Sequence, residues 1–182
     1  MARDSSSTIQ WPNQPVVVAP RLLSKPIFLR AMRVDDAQPL LNLVNSVVVE
    51  KQYLRATEPY SLEAIERFLQ FTQNTNNIML VAEYDQQIIA WLDIIAAKDA
   101  PKRGMLGMGV AKAFRNQQIG RQLMSEALAK ATGILTEVQL QVYQTNTHAI
   151  TLYRRFGFIE VDSEAGILTM AKTLPESYYP EC

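Results

Sequence analysis

Apolar positions recur along this chain with two different periods, and the switches between them predict the order of elements. Ile27-Phe28-Leu29-Arg30 reads as a strand. After Asp35-Asp36, the residues Leu40, Leu41, Val44 and Val48 recur near the helical period, and the acidic first turn suits the positive end of a helix dipole. Ser61 is placed as the N-cap of a second helix carrying Ile65, Phe68 and Leu69. Asn74-Thr75-Asn76-Asn77 reads as a turn, and Ile78 to Ala82 as a strand. Asp85-Gln86-Gln87 then reverses the chain into Ile88 to Ala96, an antiparallel hairpin signal. A polar loop over 98–103 leads to a strand from Met105 to Val110, a polar turn, and a helix with Ile119, Leu123, Ala127 and Ala131 on one face. Val138, Leu140 and Val142 alternate with Gln139 and Gln141 in another strand. Asn146 caps a short helix holding Ala149, Ile150, Tyr153 and Phe156, and Gly157 stops it. Phe158 to Val161 and Ile167 to Thr173 close the pattern as a strand pair. Helices interleaved with strands predict a mixed α/β fold, and the central hairpin argues against an all-parallel sheet.

Composition narrows the function classes. The 182 residues fit one domain with a sizeable core. We divide them into an N-terminal arm over 1–25, a domain over 26–175 and a tail over 176–182; within the polar, proline-bearing arm, Val16-Val17-Val18 is a candidate edge strand. Formal net charge is zero, so no global field draws in nucleic acid or an anionic membrane. The single cysteine, Cys182, allows neither an internal disulfide nor a cysteine-rich zinc site. No apolar run reaches the roughly 20 residues of a membrane span, and the first residues lack the apolar core of a secretory signal. A cytoplasmic location is the expectation.

The chemistry concentrates at the strand–turn–helix from Met105 to Ala131. A helix N-terminus leaves backbone N–H groups unpaired and favours negative charge, so a short polar turn there is a place for a phosphate. Arg115-Asn116-Gln117-Gln118-Ile119-Gly120 is such a turn, with Arg115 as a charged donor at its entrance. It is neither a P-loop nor a dinucleotide-binding glycine fingerprint.

A second block gives the turn a partner. Asn146-x-x-Ala149-x-x-Leu152-Tyr153-x-x-x-Gly157-Phe158 follows Gly109-Val110 and Arg115 to Arg121 in order. Together they resemble the GCN5-related N-acetyltransferase superfamily, and the element order resembles it from about Ile27 to Thr173. The resemblance implies a mostly antiparallel sheet of six to seven strands flanked by about four helices, with a splayed wedge for acetyl-CoA. It implies that the pantetheine arm pairs with backbone at Met108 and Val110, and that the pyrophosphate rests on Arg115, Asn116, Gln117, Gln118, Ile119, Gly120 and Arg121. By the same carry-over Asn146 contacts the cofactor and Tyr153 protonates the leaving thiolate. Val110 N–H is a candidate donor to the oxyanion. The base is either Glu83, on a strand ahead of the wedge, or an ordered water relay.

The expected activity is direct acetyl transfer to a primary amine of a small molecule or a protein N-terminus, with no metal; the alternative is a non-catalytic acyl-CoA-binding module. A homodimer is compatible with the family. Tyr53, Arg55, Glu58 and Tyr60 lie in the segment that borders the acceptor pocket in that family. His148 is expected to face solvent, and Trp91 to sit in the core. One departure stands out: Gln118 occupies the place where the family has the first glycine of the turn, and a side chain there restricts positive φ.

Overall fold

A computed structural model describes residues 16–18, 24–72 and 76–175. In chain order the strands and helices are β1 (Val16–Val18), β2 (Ile27–Ala31), α1 (Ala37–Val48), α2 (Leu62–Thr72), β3 (Ile78–Tyr84), β4 (Gln87–Ala96), β5 (Arg103–Val110), α3 (Ile119–Ala131), β6 (Glu137–Tyr143), α4 (Thr147–Arg155), β7 (Ile159–Glu164) and β8 (Ile167–Thr173). The strands form one sheet in the order β1-β2-β3-β4-β5-β6-β8-β7. Every pairing is antiparallel except β5 with β6, which α3 connects as a crossover. The predicted mixed, mostly antiparallel sheet is therefore present, and Val16–Val18 adds an eighth strand beside β2. The rest of the arm, the turn at 73–75 and the tail with Cys182 lie outside the described residues.

Local chemistry explains the turns. Asp85 and Gln86 both take positive φ, which matches the twist of a two-residue hairpin between β3 and β4. Ala165 and Gly166 do the same between β7 and β8. Ser61 Oγ accepts the Ala64 N–H at 3.2 Å, as its N-cap position requires. Gly157, at φ 82°, ends α4 in the left-handed conformation.

Helices cover both faces of the sheet. On one face Ile119, Leu123, Ala127 and Ala131 of α3 and Ile150 and Tyr153 of α4 pack on Leu80, Leu92, Leu106 and Leu140. On the other, Leu40, Val44 and Val48 of α1 and Ile65 and Leu69 of α2 pack on Val81 and Trp91. The entry to α1 is fixed by Arg30, which grips Asp36 through Nη1 and Nη2 at 2.7 and 2.8 Å. Burial works against ionisation of Asp36, but hydrogen bonds from Arg30 and the Arg33 N–H outweigh it and hold the carboxyl below its ordinary range. No helix among the described residues is long and apolar enough to cross a membrane.

Candidate active site

The sheet splits at β5. That strand pairs with β4 along its length, from Gly104 opposite Ala96 to Val110 opposite Ala90. Its parallel pairing with β6 runs only from Arg103 opposite Glu137 to Leu106 opposite Leu140. β6 instead continues with β8 as far as Tyr143 opposite Ile167. Beyond Leu106, then, a wedge opens between β5 and β6. Backbone groups alternate in direction along a strand. The Arg103 C=O and the Ala111 N–H both bond the β4 side, so the N–H and C=O of Met108 and the N–H of Val110 turn toward the wedge, while the Val110 C=O accepts from Arg115 Nε.

The turn into α3 lies at the mouth of this wedge. The first bond of the helix is Gln122 N–H to Gln118 C=O at 3.1 Å, which leaves the N–H groups of Ile119, Gly120 and Arg121 without a partner in the helix. Ile119 is buried, so it offers only its backbone outward. Gly120 is packed tightly: a Cβ there would lie 3.1 Å from Met108 Cε, 3.6 Å from Leu152 Cδ2 and 3.9 Å from Val110 Cγ2. Asn116 and Gln118 adopt positive φ of 63° and 64°. Gln118 therefore takes up the left-handed conformation that a glycine would hold without strain, at a cost of roughly 1 kcal/mol. Its Oε1 accepts from Arg121 Nη1 at 3.4 Å rather than capping the helix. Gln117 Nε2 donates to the Ala113 C=O, while its buried Oε1 has no partner.

Arg115 departs from the expected geometry. Its guanidinium is not held toward the helix N-terminus. Nη1 and Nη2 grip Glu50 at 2.8 and 2.5 Å, Nε donates to the Val110 C=O at 3.0 Å, and the group lies 4.4 Å from the centre of the Tyr53 ring. Arg115 holds the Glu50 carboxyl below its ordinary range. The residue thus ties the segment after α1 to the end of β5, and the groups of this turn left toward an anion are the N–H groups of Ile119, Gly120 and Arg121 and the exposed Arg121 side chain. Glu50 carried no signal in the sequence, because its partner lies 65 residues away.

On the far side of the wedge stands α4. Leu152 touches the Gly120 position together with Met108 and Val110, so the helix closes the gap. Tyr153, the next residue, is buried beside Phe158 with ring centres 6.0 Å apart. Its hydroxyl makes no hydrogen bond among the described residues, and burial pushes it up to about 12. Tyr153 is consequently a protonated donor across the physiological range. Asn146 Oδ1 is used in the helix cap, accepting the Ala149 N–H at 3.2 Å, which leaves its amide Nδ2 as the group able to face a ligand. His148 is exposed.

Glu83, the candidate base, is engaged by an arginine. It lies on β3, two strands from β5, and its Oε2 accepts from Arg30 Nε at 2.9 Å. Its carboxylate belongs to the Arg30–Asp36 network, which pairing across strands decided and local alternation did not reveal.

The face of the sheet under α1 and α2 holds a carboxylate that the sequence reading passed over. Asp93 on β4 stands opposite Gly107 of β5, and a Cβ at Gly107 would lie 3.2 Å from both of its oxygens. Burial pushes the Asp93 carboxyl up to about 7, with a smaller opposing pull from the Trp91 side chain. Trp91 is core, as expected, and lies across Gly109, where a Cβ would come within 2.2 Å of its ring. The signal was present: one acid inside the apolar run Ile88-Ile89-Ala90-Trp91-Leu92-Asp93-Ile94-Ile95.

Two hollows flank these elements. One of about 150 Å³ is lined by Lys51, Leu54, Ala56, Thr57, Glu58 and Tyr143, beside the segment in which Arg55 Nη1 reaches Gln141 Oε1 at 2.5 Å. A larger one of about 350 Å³ sits against α4 between Thr147, Arg154 and Glu160; none of the wedge residues lines it. Among the described residues no group of three acidic, histidine or cysteine side chains is arranged to hold a metal.

Comparison with known proteins agrees with this geometry. Residues 45–158, from within α1 to the end of the Asn146–Phe158 block, match the model of the acetyltransferase (GNAT) family. No curated protein matches the chain in sequence. Among solved structures, an acetyltransferase of the GNAT family from Streptococcus pneumoniae is 24% identical, with 82% of this chain and 99% of that one covered and a TM-score of 0.74. A ribosomal-protein-alanine N-acetyltransferase from Brucella melitensis is 22% identical, covering 80% and 99% at a TM-score of 0.73. The yncA protein from Salmonella typhimurium, solved with its cofactor acetyl-CoA, is 15% identical, covering 86% and 99% at 0.74. These likenesses speak for the fold, while the family model spans well over half of the chain. The chain belongs to the GNAT family of acetyltransferases, which transfer acetyl from acetyl-CoA.

Proposed function

We propose that this enzyme transfers acetyl directly from acetyl-CoA to a primary amine that enters beside the segment from Glu50 to Tyr60. The observation that carries the reading is the open end of β5, where the Met108 backbone groups and the Val110 N–H face the wedge, together with the unpaired N–H groups at the start of α3. An extended pantetheine arm fits the first, and a pyrophosphate fits the second. The tight packing around Gly120 brings the first turn of α3 close against Met108, Val110 and Leu152 at the wedge. In this reading Tyr153, held protonated by burial, gives its proton to the departing sulfur, and the Val110 N–H donates to the thioester oxygen. Acetyl-CoA supplies the activated acetyl group; the chain orients it and moves the protons. The hollow at Glu58 and Tyr143, with Arg55 at its border, gives an acceptor a polar seat next to the wedge.

Calorimetry with acetyl-CoA, followed by release of free thiol in the presence of alkylamines, polyamines, amino acids and short peptides, tests the reading. Binding with thiol release on at least one acceptor is expected. No binding at millimolar acetyl-CoA would sink it, and binding without release on any acceptor would favour a non-catalytic acyl-CoA module.

A further inference from the structure

We propose that Asp93 is the catalytic base that takes the proton of the acceptor amine, a role resting on the acetyl transfer proposed above. The geometry supports it in three ways. First, position: on the face under α1 and α2, the row across the sheet runs Met79, Asp93, Gly107, and then the wedge, with Gln141 on its other bank. Gly107 has no side chain, so the Asp93 oxygens overlie β5 itself, one residue before Met108. A longer residue at 107 would wall the carboxylate off from the wedge. Second, availability: Asp93 is half-buried and has no cationic partner among the described residues, whereas Glu83 is bound to Arg30. Third, surroundings: α1 carries no charged residue, and Met79 and Gly107 are uncharged. Arg115 is paired with Glu50 and Arg103 with Glu137, while Arg55, the remaining cation beside this row, is held across the wedge on Gln141 rather than on Asp93. On α2, Glu63 and Arg67 are exposed and Glu66 is off the buried Ile65–Leu69 stripe. A carboxylate in such a place is an effective base near neutrality, because burial raises it toward the operating pH.

The step balances without further reactants. The acceptor arrives as an ammonium, and the Asp93 carboxylate takes one proton to free the nitrogen lone pair. The nitrogen forms its bond to the thioester carbon, and the carbon–sulfur bond breaks with its electron pair left on sulfur. Tyr153 gives its proton to that sulfur and regains one from the new amide nitrogen. Asp93 then returns its proton to water.

The test uses the full chain, its Asp93→Asn variant and, as an independent probe, Gly107→Ala, whose Cβ would crowd the carboxylate. Thiol release is followed with acetyl-CoA and two kinds of acceptor: an alkylamine, which is protonated at neutral pH, and hydroxylamine, which is not. We expect Asp93→Asn to lose on the order of 100-fold in turnover with the alkylamine and far less with hydroxylamine, with acetyl-CoA binding by calorimetry unchanged. Gly107→Ala should show the same selectivity in weaker form. The wild-type rate with the alkylamine should be present above about pH 7 and fall below it, a step that Asp93→Asn abolishes. Undiminished turnover in Asp93→Asn, or equal losses with both amines, would overturn the role. A wild type that binds acetyl-CoA yet releases thiol to no acceptor would instead overturn the transferase reading, so the two failures are distinct.

Folding gives a second readout. The folded Asp93 carboxyl lies above its ordinary value, so its ionisation opposes folding increasingly from the ordinary aspartate range up to about pH 7, and fully above it. Asp93→Asn should therefore raise the unfolding midpoint at pH 8 and leave it nearly unchanged at pH 4; the reverse pattern would show that the carboxylate is not desolvated and remove the argument from surroundings.

Discussion

Strand β5 behaves as two strands joined end to end. Its first half, Arg103 to Leu106, is paired on both sides; its second half, Gly107 to Val110, is paired with β4 alone. The two halves are nearly alike in composition, Arg-Gly-Met-Leu against Gly-Met-Gly-Val, so the difference does not originate in β5. It originates in β6, which follows β8 to Tyr143 and leaves its parallel neighbour after Leu140. An open row of backbone groups thus arises where a partner strand departs, and the side chains on either side of it shape the access. Gly107 and Gly109 show this directly, since the space they vacate is filled by Asp93 and Trp91.

Proline tests this division of labour most strongly. Leu106 is buried and its N–H belongs to the β6 side, so Leu106→Pro should cost at least about 4 kcal/mol, a ladder bond and a core leucine together, as read by urea unfolding. At Val110 the N–H faces the wedge and no ladder bond is lost, so Val110→Pro should cost only about 1–2 kcal/mol. The same variant should weaken acetyl-CoA by about tenfold or more, the worth of one buried hydrogen bond. Equal destabilisation by the two prolines would mean that the second half of β5 is not open.

The chemistry of the open half gives the next effect. Tyr153→Phe should reduce turnover by about 100-fold and leave acetyl-CoA affinity within about twofold, because the hydroxyl has no structural partner to lose. Unchanged turnover would remove Tyr153 from the proton path. The smallest effect belongs to the turn. Gln118→Gly relieves a left-handed side chain and should stabilise the fold by about 1 kcal/mol, while acetyl-CoA binds as tightly or more tightly. A loss of stability there would mean that the Gln118–Arg121 contact outweighs the strain.

The two arginine clusters show how far local reading reaches. Arg30 and Asp36 are six residues apart, close enough for the acidic start of α1 to be visible in the sequence, although read as a dipole effect and not as an ion pair. Arg115 and Glu50 are 65 residues apart, and nothing local distinguishes that glutamate from any other. The Arg115 side chain, read from the sequence as a phosphate ligand, ties two elements together in the fold. Glu83 is a parallel case: alternation gave its strand, while the ion pair with Arg30 on β2 is visible only in the fold.

The sequence by itself determined the elements and their order, because periodicity, caps and turn residues act within a few positions along the chain. Ser61, Asn146 and Gly157 each terminate a helix as their local chemistry requires. It also determined the family, because the turn before α3 and the Asn146–Phe158 block are local motifs. Only the tertiary structure decided which backbone groups stay unpaired, which carboxylates are bound and which one is left over Gly107. Those are properties of strands meeting across the sheet, and contacts between residues distant in sequence leave no periodic mark.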